Sequence, residues 1–403
     1  MPLFYVISHY FNLPFRAWEQ RKLRDFTKIS QGLQIAISDR YLENGDNREL
    51  YITNEFLNTY SSPKYYIENP PENVIANEDD ILMTRTGNTG KVITNVIGAF
   101  HNNFFKIDYN PMKTSKLFLY YVLVSENIQK EILIKAGTST IPDLKHNDFY
   151  SIVIQVPKIQ EQQKIGDFFK QLDNTIALHQ RKLDTLKLMK KAFSQQIFPE
   201  NNRKKPKIRF TSFYEEWEQR KIGEYGYFYY GKSAPKWSVA QDATTPCVRY
   251  GELYTKFGPE IDIVHSYTNI DKSNLKFSSG NEVLVPRVGE NPLDFANCSW
   301  LSISNVAIGE MISVYNTEQY PLFIAYYFRS KMKYEFAKRV EGGNVSNLYY
   351  SYLEDILISV PSIEEQKKIA EFLNKIDITI NLLQNKLGRI KELKKAYLQN
   401  MFI

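Results

Sequence analysis

The chain repeats itself, and no other property of its 403 residues restricts the fold as strongly. The box Trp18-Glu19-Gln20-Arg21-Lys22-Leu23 returns as Trp217-Glu218-Gln219-Arg220-Lys221-Ile222, an offset of 199. Val156 to Phe198 returns without a gap as Val360 to Phe402, an offset of 204, with 21 of 43 aligned positions identical. The identities include Val156/Val360, Pro157/Pro361, Glu161/Glu365, Gln162/Gln366, Asp173/Asp377 and the run Lys190-Lys191-Ala192/Lys394-Lys395-Ala396. Between box and terminal segment the halves diverge, over 138 positions in one and 143 in the other. One scaffold is used twice, around two different inserts.

The repeated segment has its own period. After Pro157, the positions Ile165, Phe169, Leu172, Ile176, His179, Leu183, Leu186, Lys190, Phe193 and Ile197 step alternately by four and three, and so do Ile369 to Met401 in the second copy. A period of 3.5 held over four heptads marks a coiled-coil seam. Each seam would run roughly 50 Å at the helical rise. Two such helices related by a pseudo-twofold axis pack antiparallel and make a rigid spacer. The plainer alternative is a coiled coil that only dimerises or stiffens. His179 reads as a tolerated polar seam residue, and Lys190 and Lys394 as snorkelling side chains or the end of the seam.

The inserts, 24–155 and 223–359, read as mixed α/β domains. Asp80 to Gly87 faces Glu282 to Gly289, in each case an apolar β-like run ending in an Arg-x-Gly turn. Ile152 and Ile154 face Ile356 and Ile358 as strands that stop at a proline. Tyr225 to Lys232 and Ser61 to Tyr66 read as strand or loop, Leu117 to Lys135 and Leu322 to Val340 as helical. Arg85-Thr86-Gly87-Asn88-Thr89-Gly90-Lys91 is a glycine-punctuated turn carrying side chains that reach guanine, adenine and phosphate. Its counterpart is Arg287-Val288-Gly289-Glu290-Asn291. Gly137 to Thr140 and Gly342 to Asn347 form a second polar loop at matching places. For each such loop, a solvated hairpin turn is the alternative.

Composition enters where it removes function classes. With 43% hydrophobic and 24% charged residues, the chain reads as soluble and globular. Two cysteines, Cys247 and Cys298, and five scattered histidines offer neither a disulfide framework nor a zinc site, and point to a reducing, cytoplasmic setting. No run of eighteen apolar residues occurs, and Met1 to Phe15 lacks a basic n-region, so no membrane contact is expected. The net charge of +6 is unevenly spread: 158–198, 199–210 and 362–403 together carry +11, which leaves −5 for the rest. A nucleic-acid surface on the inserts must then be a local patch. Asn69-Pro70-Pro71-Glu72 lacks the aromatic of an amino-methyltransferase motif and reads as a turn. Gly87-Asn88-Thr89-Gly90-Lys91-Val92 lacks the first glycine and the hydroxyl residue of a phosphate loop. No HExxH, GxSxG or paired-histidine site occurs, and the chain reads as non-catalytic.

The box, the Val-Pro-x-Ile-x-Glu-Gln-x-Lys-Ile start of each helix and the twofold domain order together resemble the DNA-specificity subunit of type I restriction-modification systems. The resemblance covers nearly the whole chain, through 13–23, 156–198, 207–223 and 360–403. The sequence departs from the pattern where Met1 to Asn12 precede an abbreviated first box, Leu13-Pro14-Phe15-Arg16-Ala17-Trp18, whereas the second has a lead-in from Ile208-Arg209-Phe210. The implied fold is α+β: two mixed α/β target-recognition domains joined by two long antiparallel coiled-coil helices, with a pseudo-twofold internal repeat. The expected division is a first target-recognition domain 1–155, a spacer helix 156–198, a basic linker 199–212, a second target-recognition domain 213–359 and a second spacer helix 360–403.

The resemblance also implies a division of labour. Each target-recognition domain would read one half of a bipartite, asymmetric site on double-stranded DNA, and the helices would set the spacing. Two copies of a modification subunit would dock on the helices and bring S-adenosylmethionine. Restriction subunits would bring ATP, translocation and cleavage, and this chain would bind no cofactor. The expected DNA contacts are Arg85, Asn88 and Lys91 in the first domain and Arg249, Arg287 and Asn291 in the second. Expected to meet partner subunits are Trp18, Glu161, Gln162 and Lys164, with Trp217, Glu365, Gln366 and Lys368. Helix N-terminal capping is the alternative for the glutamates. A related stand-alone methylation or phage-defence system, or a protein-binding coiled-coil adaptor, are the alternative functions.

Overall fold

The computed structural model describes residues 18–58, 64–200, 203–232, 234–240 and 242–402. Met1–Asn12, the box residues Leu13–Ala17 and Ser61–Pro63 lie outside the described residues.

The two repeated signals, far apart in the chain, meet in space. Strand Glu19–Lys22 pairs antiparallel with Val153–Val156, placing Glu19 opposite Val156. Glu218–Lys221 pairs in the same register with Leu357–Val360, Glu218 opposite Val360. Each ribbon is extended by one further bond, Leu23 N–H to Ile152 O and Ile222 N–H to Ile356 O, both 2.9 Å. The ribbon closes each insert at its two ends, which explains why box and terminal segment recur as a couple. Proline ends the strand because it has no N–H to give the ladder. A long helix then follows, Ile159–Gln196 in the first half and Ile363–Met401 in the second.

Contacts divide the chain into unit 1, Met1–Gln180 with Asn385–Ile403, and unit 2, Arg181–Gln384. The division runs through both long helices instead of at their ends, where the sequence placed its boundaries. The reason is that the first turns of each helix belong to a domain core. Ile165 and Phe169 are buried with Phe105, Phe118, Tyr121 and Phe149 in unit 1, together with Met401 and Phe402. Ile369 and Leu373 are buried with Val283, Tyr315, Phe323 and Leu348 in unit 2, together with Ile197 and Phe198. The apolar period thus combines two jobs that sequence alone does not separate, domain anchoring and helix pairing.

Within each unit, segments of the two helices run antiparallel. In unit 1 Phe168 meets Tyr397 edge-on at 5.3 Å, and Asp173 is paired with Lys394. In unit 2 Phe193 meets Phe372 at 5.1 Å, and Lys190 is paired with Asp377. The aspartates also accept from buried tyrosines of the domain, Tyr121 Oη at 2.7 Å and Tyr326 Oη at 2.8 Å. Burial first, and the neighbouring aspartate second, push both phenols upward, so they remain donors. Lys190 and Lys394 therefore neither snorkel nor mark a seam end. Each completes a Tyr-Asp-Lys set whose lysine comes from the other repeat, which accounts for the identities Asp173/Asp377 and Lys190/Lys394.

Besides the ribbon, the described residues of each insert form two larger sheets. Unit 1 has Thr27–Gln31, Phe104–Tyr109, Ile81–Thr84 and Val92–Thr94 in that order, and a second sheet of Tyr65–Glu68, Arg48–Ile52, Gly98–Phe100 and Ile75–Ala76. Unit 2 has Gly226–Tyr230, Ile312–Thr317, Glu282–Pro286, Ser299–Leu301 and Glu260–Ile261, and a second sheet of Ser266–Thr268, Thr245–Val248, Ser304–Ile308 and Phe277–Ser279. A further three-stranded sheet in unit 2 includes Val288–Gly289. The helical stretches are each split in two, Lys116–Leu123 with Glu126–Ala136, and Pro321–Lys331 with Lys333–Ala337. Ser125 makes the first break, its hydroxyl turned back to Val122 O at 2.7 Å.

Candidate functional site

The glutamines of the repeated Glu-Gln pair are internal. Gln162 and Gln366 are 1% and 0% exposed. Gln162 Oε1 accepts from Ser115 N–H at 2.9 Å, at the start of the domain helix Lys116–Leu123, while its Nε2 donates to Pro157 O and Lys113 O. Gln366 does the same for Tyr320 N–H, ahead of Pro321–Lys331, and donates to Pro361 O and Gln319 Oε1. A primary amide has two donors and two acceptor lone pairs, so it can serve two backbone ends at once. It joins two helix starts that would otherwise hold unsatisfied groups.

The carboxylates beside them differ between units. Glu161 accepts from Trp18 Nε1 at 3.1 Å, with Trp18 half-buried against Phe118. Glu365 is buried and takes both hydrogen bonds of the Arg209 fork, at 2.8 and 2.7 Å. Trp217, released from that role, is 1% exposed, and its Nε1 has no acceptor. Four of the eight residues expected to meet partners, Gln162, Trp217, Glu365 and Gln366, therefore lie inside the fold. Their chemistry is spent on holding it. Lys164 and Lys368 are exposed, Lys368 with its ammonium 5.4 Å from the Phe213 ring.

The Arg-x-Gly loops occupy the same backbone position in both units. Leu144 N–H donates to Arg85 O, and Leu348 N–H to Arg287 O, each at 2.8 Å. In unit 1 the loop is a tight hairpin between Ile81–Thr84 and Val92–Thr94. Gly87 and Gly90 have φ of +80° and +87°, which side chains disfavour. Thr84 Oγ1 accepts from Lys91 N–H at 2.9 Å across it. Asn88 and Lys91 are exposed at its tip. In unit 2, Asn291 caps the turn Pro292–Ala296, accepting from Leu293 N–H and donating to Asp294. Arg249 precedes the helix Tyr250–Thr255, its backbone N–H bound to Glu252 at 3.0 Å and its side chain half-exposed.

The two arginines have different partners. Arg85 Nη2 lies 2.8 Å from both carboxylate oxygens of Asp143. Asp143 follows the second polar loop and bridges to Thr86. In unit 2 the residue paired at that place, opposite Val288, is Asn347. Arg287 has no ion pair or hydrogen bond on its guanidinium among the described residues. The group lies 4.5 Å from the ring centre of Tyr230 and 5.7 Å from that of Tyr349. The Nε of each arginine is buried without an acceptor. Only Arg287 has its whole charge available.

The surfaces around these arginines differ in the same sense. Leu33 N–H donates to Phe100 O, and Lys232 N–H to Ile308 O, which matches Leu33 with Lys232. Ile75 pairs with Ala99 and Phe277 with Ala307, so buried Val74 corresponds to exposed Lys276. Lys276 Nζ donates to Tyr230 O at 2.8 Å and Lys232 Nζ to Ser273 O at 3.3 Å. Unit 2 therefore presents Arg287, Lys232 and Lys276 with Tyr229, Tyr230 and Tyr349. Unit 1 presents amides: Gln31 Nε2 donates to Asn102 O, Asn102 Nδ2 to Gln34 Oε1, and Asn54 Nδ2 to Thr86 O. Burial, with Arg40 second, lowers the pKa of His101 on this face and favours the neutral imidazole. Sequence reading missed Tyr230, Tyr349, Lys276 and the amides, which come together only through sheet pairing. The Asp143/Asn347 exchange was visible only once the polar loops were aligned.

Both cysteines are buried and free, and burial pushes the Cys247 thiol up to about 11. Among the described residues no cluster of three or more His, Cys, Asp or Glu is arranged to hold a metal ion, and no helix is long and apolar enough to cross a membrane.

Residues 16–188 and 214–392 each match the family described as the type I restriction modification DNA specificity domain. The chain is 26% identical over 402 residues to the type I restriction enzyme MjaVIII specificity subunit of Methanocaldococcus jannaschii, covering 94% of this chain and 90% of that protein. The putative type I restriction enzyme MjaX specificity subunit of the same organism is 25% identical over 307 residues, or 73% of this chain and 68% of that one. In fold, the chain resembles the crystal structure of a type I restriction-modification S subunit from M. genitalium, with a TM-score of 0.61 at 13% identity, over 97% of this chain and 98% of that one.

Proposed function

Since this chain belongs to the family of type I restriction-modification DNA-specificity subunits, whose work is DNA recognition, we propose that each of its units reads one half of a bipartite, asymmetric site. The observation that carries this reading is the contrast inside the duplicated frame. Ribbon, glutamine clasp and Tyr-Asp-Lys set are alike in the two units, while the faces around Arg85 and Arg287 differ in charge and in residue type. A symmetric frame with unlike faces lets two identical partners sit on an asymmetric sequence.

Two copies of a modification subunit dock on the repeated helices in this reading. On those helices Leu178 and Leu393 in unit 1, and Leu188, Ile378 and Leu382 in unit 2, are exposed apolar side chains that a partner could cover. Exposed Lys164 and Lys368 stand at the helix starts, the places left once their buried neighbours are set aside. Helices of 38 and 39 residues are about 57 Å long, more than one ~34 Å turn of duplex, which suits half-sites over a turn apart. S-adenosylmethionine and ATP belong to the partner subunits, and the complex works in the cytoplasm. The family match and the curated relatives favour DNA recognition over a protein adaptor.

The test is to co-express the chain with the modification subunit of its system and map N6-methyladenine on host DNA at single-base resolution. One bipartite motif methylated on both strands, with only one half redirected when residues 24–155 are exchanged, is the expected result. A stable complex that binds S-adenosylmethionine yet leaves no motif would overturn the reading.

A further inference from the structure

We propose that Arg287 reads a guanine in the half-site of unit 2, and that Asn347 keeps it available by standing where unit 1 has the neutralising Asp143. This rests on the assignment of unit 2 to one half of the DNA site, and adds the base and the side chain that selects it.

Three observations converge on Arg287. Its guanidinium lies against two rings, Tyr230 at 4.5 Å and Tyr349 at 5.7 Å, which restrict its orientation. Its Nε is buried without an acceptor, and no carboxylate or carbonyl of the described residues takes a bond from the rest of the group. An arginine left in that state loses hydration without an internal return, a cost that an external acceptor offsets. The equivalent arginine of unit 1 is in a different state. Asp143 engages it at 2.8 Å.

The acceptor that fits is a base edge more than a phosphate. Phosphates are met by long, exposed side chains that can follow the backbone, as Lys232 and Lys276 on the same unit can on giving up their exposed bonds to Ser273 O and Tyr230 O. A half-buried, ring-stacked guanidinium has little such freedom. It offers a planar pair of N–H donors, the geometry that matches O6 and N7 of guanine in the major groove. Little side-chain entropy remains to be lost on binding, because the stacking has already restricted the rotamer.

The experiment uses the full complex with the modification subunit, and compares methylation motifs of the unaltered chain with Arg287→Gln, Arg287→Lys and Asn347→Asp. The half that stays fixed when 24–155 are exchanged identifies the half-site of unit 2. The expected result for Arg287→Gln and Asn347→Asp is relaxation at a single guanine of that half, with roughly ten- to hundredfold loss of discrimination there and no change in the other half. Arg287→Lys retains part of the preference. The unchanged half serves as the folding control within each variant. Methylation weakened evenly across an unchanged motif would make Arg287 a phosphate contact, and this inference would fail. A motif unaltered in strength, or relaxed at a base other than guanine, would overturn it equally. Absence of any motif with the unaltered chain would instead remove the two-half-site reading beneath it.

Discussion

In unit 1 the arginine at the end of the central strand is held by Asp143. In unit 2 the arginine on the same backbone bond lies against the rings of Tyr230 and Tyr349. Around the first, Leu33 and buried Val74 leave a surface of amides. Around the second, the matching positions are Lys232 and Lys276. Beneath both, much of the frame is alike: Gln162 and Gln366 each join the helix-entry proline carbonyl to the N–H ahead of a domain helix, and Asp173 and Asp377 each receive one tyrosine and one lysine. Frame contacts are buried and cooperative, so a change in one must be matched by its neighbours. Loop side chains face outward and change one at a time at little cost in stability, which is how a duplicated fold acquires two reading surfaces.

The largest asymmetry to test lies in the frame, at the tryptophans. Trp217→Ala empties a fully buried site and should destabilise unit 2 by about 3–5 kcal/mol. Trp18→Ala, half-buried and tied to Glu161, should cost unit 1 about 1–2 kcal/mol. Hydrogen exchange resolved by unit separates the two, and equal losses would contradict the structural difference between them. The next test concerns what the units share. Asp173→Ala and Asp377→Ala each strip a buried tyrosine hydroxyl and a lysine of their acceptor, and should each lower stability by about 1–3 kcal/mol. Thermal unfolding that falls for only one of them would show that the two sets are not equivalent. The smallest effect expected is at the reading face. Asp143→Ala frees Arg85, and affinity of the complex for DNA should fall with salt more steeply by about one counterion. Anisotropy titrations between low and moderate salt measure this, and an unchanged slope would mean that Arg85 stays out of reach of DNA.

The architecture was legible because repeats and periodicity are properties of the chain. The recurrence of box and terminal segment, the helices after each proline and the arginine-bearing strand ends all follow from residues alone, whereas the pairing of box with terminal segment as a β-ribbon does not. Roles of single side chains were less legible. Gln162, Gln366 and Glu365 recur as polar residues on a helix and read as surface, yet they are buried. A glutamine that clasps two backbone ends and a glutamine that meets a partner have the same letter and the same spacing. Asn291 and Asn88 likewise share a residue type and lie in matching loops, yet one caps a turn and the other is exposed at a hairpin tip.

The sequence by itself determined that there are two copies of one frame and that the inserts they carry differ. A repeat is recorded in the order of residues, and a heptad is recorded in their spacing. Tertiary structure alone decided which of two equivalent arginines has a counter-ion. Arg85 and Asp143 are 58 positions apart, and only strand pairing and the turn of the second polar loop bring them to 2.8 Å. Coulomb attraction and hydrogen bonding depend on that distance and on burial, neither of which is written in the chain.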